Sequence, residues 1–176
     1  TPKVLYVDGS KKILEHGVLV MEYLPGHAMD YHTELMLAAP CLADIHSVPI
    51  PESEEILIHP QNPLKAILEE CEEMFKVYLE SPLGDGEKKT YIRELLDLGW
   101  KREAEIQLES GYQCCINTEL NSTNLLINGE GKSNYLIDWE KPLFGNPAQD
   151  LGHFLAPTTT FWKTDVILTS EEMEKF

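Results

Sequence analysis

Three polar residues sit where two short apolar runs would bring them together. Asn124 immediately precedes the run Leu125-Leu126-Ile127, and Asp138 ends the run Tyr135-Leu136-Ile137. If these runs fold back on each other as a hairpin, an amide oxygen and a carboxylate reach the same edge, where they can share a hard cation such as Mg²⁺. Glu119 lies five residues before Asn124, on the segment leading into the first run. A carboxylate beside a hard-cation site suits phosphoryl transfer, a reaction that asks of a protein mainly positioning and charge stabilisation.

The elements that must hold these residues can be read from the pattern around them. Residues 112–116, 125–128 and 135–139 are short apolar segments, the last two joined across Gly129-Glu130-Gly131 as a hairpin. Val4-Leu5-Tyr6-Val7 and residues 17–21 flank Asp8-Gly9-Ser10 and predict an antiparallel strand pair. Leu35, Ala38, Ala39, Leu42 and Ile45 recur at helical spacing, with Pro40 either kinking that helix or marking its first turn, and His46 closing it.

Asn62-Pro63 opens a second helix, with a capping side chain before a proline at the first helical position. Its apolar stripe is Leu64, Ile67, Leu68, Cys71, Phe75, Tyr78 and Leu79, and Ser81-Pro82 stops it. Gly84-Asp85-Gly86 reads as a flexible link to a further helical stretch through Ile92, Leu95 and Leu96. Gly99 breaks or ends that stretch, and residues 101–109 continue as helix. Residues 148–155 are again helical, and Thr169 with Glu172 has the spacing of a capping box.

The 176 residues, 43% of them apolar, allow one buried domain or slightly more. No apolar run is long enough to span a bilayer and no leader opens the chain, so a soluble, cytoplasmic protein without a membrane partner is expected. Fourteen basic against thirty acidic residues give a formal charge of −16, which disfavours nucleic acid as a partner. The four cysteines lack metal-ligand or redox spacing and are expected to be reduced thiols, with Cys114 and Cys115 on opposite faces of a strand. The six histidines lack ligand spacing too. Asn121-Ser122-Thr123 is read as a chance glycosylation sequon.

Asn117-Thr118-Glu119-Leu120-Asn121-Ser122-Thr123-Asn124 resembles the His-Gly-Asp-Leu-His-Pro-Gly-Asn catalytic loop of aminoglycoside phosphotransferases and choline kinases. Ile137-Asp138-Trp139-Glu140 resembles their metal-binding Ile-Asp-Trp/Phe-Glu, and Gly145-Asn146-Pro147-Ala148-Gln149-Asp150-Leu151 their following Gly-x-Pro-x-x-Asp-Leu. Met21-Glu22-Tyr23-Leu24-Pro25-Gly26 is similar to the hinge between lobes, and Leu42-Ala43-Asp44-Ile45-His46 to a Leu-Ala-x-Leu-His helix end.

The resemblance implies an α+β, protein-kinase-like fold: a mostly helical C-terminal lobe with a catalytic-loop β-hairpin, plus a remnant N-lobe strand pair. Residues 1–24 would be that remnant with the hinge, and residues 25–176 the C-terminal lobe, truncated at its end. It implies ATP and Mg²⁺ as cofactors and a hydroxyl of a small molecule as acceptor. Backbone groups of Glu22 and Leu24 would hold adenine above Leu126. Asn124 and Asp138 would bind the metal, Glu119 would orient the acceptor, and Asp150 would support the loop.

The sequence departs from the family at several positions. Glu119 stands where the family has aspartate, which moves the carboxylate by ~1 Å, a displacement that can cost roughly 10²-fold in rate. Asn117 and Asn121 stand where it has histidines, and the phosphate-covering loop and its lysine–glutamate pair have no counterpart. The competing reading is therefore a degenerate, pseudokinase-like binding or scaffolding module.

Overall fold

The computed structural model describes residues 2–52, 57–106 and 112–176. The chain forms two compact units, Thr1–Leu57 with Cys114–Phe176 and, inserted between them in sequence, Ile58–Gln113.

The first unit opens with the expected strand pair, β1 (Val4–Asp8) antiparallel to β2 (Val18–Met21), Tyr6 opposite Val20. Val4, Leu5, Tyr6 and Val7 are all more than half exposed, so both faces of this ribbon are open. After Pro25 the chain makes a two-residue strand, β3 (His27–Ala28), and enters helix α1 (Leu35–His46). Leu35, Ala38, Leu42 and His46 are the buried positions of α1, one stripe at helical spacing. Pro40 lies within the helix, not in its first turn, and its side chain is exposed.

The inserted unit is a pair of helices, α2 (Pro63–Glu80) and α3 (Gly86–Glu105). Asn62 caps α2 as its sequence demands, accepting from the Lys65 N–H at 3.0 Å. Of the stripe read from sequence, Phe75 is buried and Leu79 is exposed.

Two sequence expectations fail in this unit. Gly84-Asp85-Gly86 is no simple link, since Asp85 caps α3, accepting from Lys88 N–H at 3.0 Å, and Gly86 is the first helical residue. Gly99 does not break α3, which runs through it to Glu105. A Cβ at Gly99 would lie 2.7 Å from Leu68 Cδ2, so the glycine marks the close approach of the two helices, and packing overrides its poor helix propensity. Residues 107–109 of the expected continuation lie outside the described residues.

The chain then returns to the first unit as β4 (Cys114–Ile116), a 3₁₀ turn (Ser122–Asn124), β5 (Leu125–Ile127) and β6 (Tyr135–Leu136). There follow β7 (Leu143–Gly145) and helices α4 (Pro147–Leu155), α5 (Pro157–Lys163) and α6 (Ser170–Lys175). The expected hairpin is present: β5 and β6 are antiparallel, Leu125 opposite Leu136, and β3 adds to the other edge of β5 in the order β3-β5-β6. β6 ends at Leu136, so Asp138 lies two residues beyond the strand and not in it. β4 pairs with β7, a strand the sequence reading missed, as it missed β3 and α5.

Alternation holds on β4: Cys114 and Ile116 are buried at 1% and 0% exposure and Cys115 only partly so, and none of the four cysteines is in a disulfide. Leu120, Leu125, Ile127 and Phe154 are fully covered and pack with Ala38 and Leu42 of α1 into one core. Each such side chain contributes about 1.5–3 kcal/mol on burial. Thr169 and Glu172 form the capping box predicted for α6. No helix among the described residues is long and apolar enough to cross a membrane.

Candidate active site

The loop from residue 117 to 124 leaves the buried strand β4 and turns back into β5, so its two ends are fixed by core packing. What shapes it between those ends is a set of buried polar contacts. Asp150, in the first turn of α4 and wholly buried, accepts from the Asn117 N–H through Oδ2 at 3.0 Å and from the Thr118 N–H through Oδ1 at 2.8 Å. The helix N-terminus favours its negative charge. A third contact reaches the same carboxylate from α1: His46 Nε2 lies 2.9 Å from Asp150 Oδ2.

Asn117, 1% exposed, ties the loop to the metal-binding candidate on the other side. Its Nδ2 donates to the Asp138 carbonyl at 2.9 Å, and its Oδ1 accepts from the Glu119 N–H at 3.2 Å. Thr118 Oγ1 donates to the Lys141 carbonyl at 3.2 Å. Thr118 and Asp138 both occupy left-handed backbone, with φ of 74° and 64°. Such conformations cost about 1–3 kcal/mol each and persist where neighbours over-determine them, as these hydrogen bonds do.

The asparagines that follow fix Glu119 by its backbone. Asn121 Nδ2 and Asn124 Nδ2 both donate to the Glu119 carbonyl at 3.1 Å. Asn121 Oδ1 accepts from the Thr123 N–H and hydroxyl, which winds the 3₁₀ turn. Asn121 is buried with its amide nitrogen engaged, so the sequon is not presented as an acceptor.

Asn124 is buried and spends its amide nitrogen on Glu119, which leaves its Oδ1 without a hydrogen bond among the described residues. Its carbonyl accepts from the Ile137 N–H at 2.8 Å, which brings Asn124 beside the segment carrying Asp138. The carboxylates of Glu119 and Asp138 are exposed and make no hydrogen bond among the described residues. Glu119, Asn124 and Asp138 are thus gathered at one end of the hairpin. The donor set fits Mg²⁺, which takes oxygen ligands, one or two from protein side chains and the rest from phosphates and water. Among the described residues no group of three or more His, Cys, Asp or Glu could hold a metal ion.

The hinge candidates lie on the other edge of the sheet. Gly26 has φ of 131°, and a Cβ there would lie 3.0 Å from Leu126 Cβ and 3.2 Å from the Ile127 carbonyl oxygen. Only glycine lets this chain pass so close to β5. Asn128 Nδ2 donates to the Pro25 carbonyl at 3.1 Å and secures the same crossing. Glu22 is anchored to β1, its N–H donating to the Lys3 carbonyl at 2.8 Å. The Glu22 carbonyl and the Leu24 N–H make no hydrogen bond among the described residues, and Leu126 is half-buried.

His46 is the residue that sequence reasoning missed. It was read only as a helix end, and its partner lies 104 residues away. The available signal was a histidine at the core-facing position of an amphipathic helix, where a buried imidazole needs a polar partner.

The chain matches the model of the phosphotransferase enzyme family over residues 1–169. A search of curated proteins finds no match. Among solved structures it resembles spectinomycin phosphotransferase APH(9)-Ia, in complex with ADP and spectinomycin, at 17% identity and a TM-score of 0.59, over 90% of this chain and 50% of that one. It also resembles choline kinase LicA from Streptococcus pneumoniae at 21% identity and a TM-score of 0.61, over 99% of this chain and 53% of that one. The chain spans about half the length of these structures, and the shared fold is kinase-like and α+β. With its buried Asp150 brace, its hairpin and the family match across nearly all its length, the chain belongs to the phosphotransferase enzyme family.

Proposed function

We propose that this chain supplies the acceptor-side machinery of an ATP-dependent phosphotransferase that moves the γ-phosphoryl group to a hydroxyl of a small molecule. One observation carries the reading: buried contacts hold the backbone of residues 117–124 and bring Asn124 beside Glu119 and beside the segment that carries Asp138, whose carboxylate, like that of Glu119, is exposed. Rigid backbone with free oxygen donors is what phosphoryl transfer asks of a protein. The ADP held by the spectinomycin phosphotransferase of the same fold supports a nucleotide as ligand here.

MgATP, when bound, brings the phosphoryl group and neutralises its charge. Asn124 Oδ1 and the Asp138 carboxylate would hold the cation, and the backbone of Glu22 and Leu24 would hold adenine, with Leu126 beneath it. Glu119 would orient the acceptor hydroxyl and take up its proton. In this reading residues 1–24 are the hinge side of the site and residues 25–176 its catalytic lobe. Spectinomycin and choline, which the related structures' names carry, are the small alcohols to try.

A second reading, a non-catalytic nucleotide binder, is favoured by one feature: Glu119 is longer than the aspartate of the family motif and no hydrogen bond among the described residues fixes its carboxylate. The test is phosphorylation of spectinomycin and choline by the full-length protein with MgATP, in the parent, Glu119→Gln and Glu119→Asp. Activity in the parent, lost in Glu119→Gln and raised in Glu119→Asp, supports the enzyme. Nucleotide binding without transfer in any form assigns the chain as a binder.

A further inference from the structure

We propose that Thr118 is a positioning residue of this site: its hydroxyl latches the loop 117–124 to the far end of residues 138–141 and so holds Asp138 in register with Glu119. The proposal rests on the reading of Asp138 as a Mg²⁺ ligand.

The family motif has glycine where this chain has Thr118. Glycine suits the place, because the backbone there has φ of 74° and a residue without Cβ adopts that conformation freely. A β-branched residue does not. At such a φ it is a genuine outlier, and its strain persists only where neighbours over-determine it. What threonine brings that glycine cannot is a hydroxyl, and Thr118 Oγ1 donates to the Lys141 carbonyl at 3.2 Å.

That bond has a neighbour in the sequence. Asn117 Nδ2 donates to the Asp138 carbonyl at 2.9 Å, so two consecutive side chains of the loop grip the two ends of residues 138–141. Just before this stretch the Ile137 N–H donates to the Asn124 carbonyl at 2.8 Å, and just after it Leu143 pairs with Ile116. Between these fixed points the side chains of Asn117 and Thr118 tie the stretch to the loop. A single contact at Asp138 would let the chain pivot about it, whereas a second contact at Lys141 fixes its orientation. Orientation matters at Asp138, which is itself in left-handed backbone at φ of 64°, because Mg²⁺ demands near-ideal octahedral placement of its oxygens.

The test compares three variants of the full-length protein. Thr118→Val keeps the branched shape without the hydroxyl, Thr118→Ser keeps the hydroxyl, and Thr118→Gly removes strain and latch together. Backbone amide order parameters, measured without nucleotide, read residues 138–141, with Leu125 and Ile127 of β5 reporting the core. Calorimetry of ATP binding over a series of Mg²⁺ concentrations reads the metal. In the parent and Thr118→Ser, Glu140 and Lys141 are expected near the rigid value of about 0.85, and in Thr118→Val and Thr118→Gly they fall toward about 0.6 while β5 stays rigid. The apparent Mg²⁺ affinity weakens by roughly 2- to 10-fold in the same two variants, the worth of one hydrogen bond, and stays at the parent's value in Thr118→Ser.

Unchanged order parameters in Thr118→Val and Thr118→Gly overturn the proposal. So does a Thr118→Ser variant as loose as Thr118→Val, or loosening of β5 along with residues 138–141, since either result means lost packing and not a lost hydroxyl. Order lost with the Mg²⁺ dependence unchanged overturns it too, because the latch would then not reach Asp138. A parent protein that binds no ATP sinks the nucleotide-site reading, while the order parameters at Asp138 still decide whether Thr118 sets that residue.

Discussion

Asp150→Ala is the perturbation whose cost the structure lets us work out most fully. The carboxylate is wholly buried and takes three hydrogen bonds, from Asn117 N–H, Thr118 N–H and His46. Hydrogen bonds to a charged group contribute about 1.5–3 kcal/mol each, and a buried donor left unpaired costs about 1–3 kcal/mol. The variant removes the acceptor of two backbone N–H groups and of His46 Nε2, but relaxation of Thr118 out of its left-handed backbone returns about 1–3 kcal/mol. A net loss of about 3–5 kcal/mol is expected, the range found when one partner of a buried ion pair is removed.

Against a total stability of about 5–15 kcal/mol this is large, and it falls on the first unit alone. Urea unfolding followed at amide resonances of Leu125 and Ile127 reads that unit without mixing in the α2–α3 pair. Asp150→Asn keeps the shape and one acceptor oxygen and should lose about half as much. A loss below about 1 kcal/mol for Asp150→Ala would refute the reasoning, because a carboxylate so placed would then be a bystander.

Other predictions follow from single contacts. Glu72 accepts both terminal nitrogens of Arg93 at 2.8 and 2.6 Å and Trp100 Nε1 at 3.0 Å, and the Arg93 pair first, then Trp100, holds its carboxyl down at about 2. Its contribution to the α2–α3 pair is therefore full above its ordinary value of 4.5 and is lost as pH falls from there toward 2, and a carboxyl NMR titration with a midpoint near 4.5 would contradict this. Burial, then the nearby charge of Asp150, pushes the Cys114 thiol up to about 11, so iodoacetamide at pH 8 should leave Cys114 unmodified, as peptide mapping would show. Gly26→Ala forces a side chain onto Leu126 at a φ of 131° and should cost about 1–3 kcal/mol, with weaker nucleotide affinity by calorimetry and no change at α2–α3.

How much of this was legible in the sequence depended on whether the signal was local. The α2 cap, the α6 capping box and the β5–β6 hairpin are written in adjacent residues, and the structure has them all. Asn124 lies beside the segment that carries Asp138 because a hairpin needs only its own turn to align its ends. β3 and β7 escaped because strands of two and three residues are defined by backbone pairing with a distant partner, which their side chains do not announce. Gly99 misled because helix propensity is a local quantity, while its use is to admit Leu68 from another helix. The same limit hid the pairing of His46 with Asp150, and hid Asn117 as the link between the loop and Asp138, since position alone showed only a substitution of the family's histidine.

The central claim is that Asn124 and Asp138 complete a nucleotide site by holding Mg²⁺. Calorimetry of ATP binding by the full-length protein, with and without Mg²⁺ and with Asp138→Ala as control, tests it most directly. The account predicts Mg²⁺-dependent binding in the parent that is lost in Asp138→Ala. Binding that ignores both Mg²⁺ and Asp138, or no ATP binding at all, would contradict it.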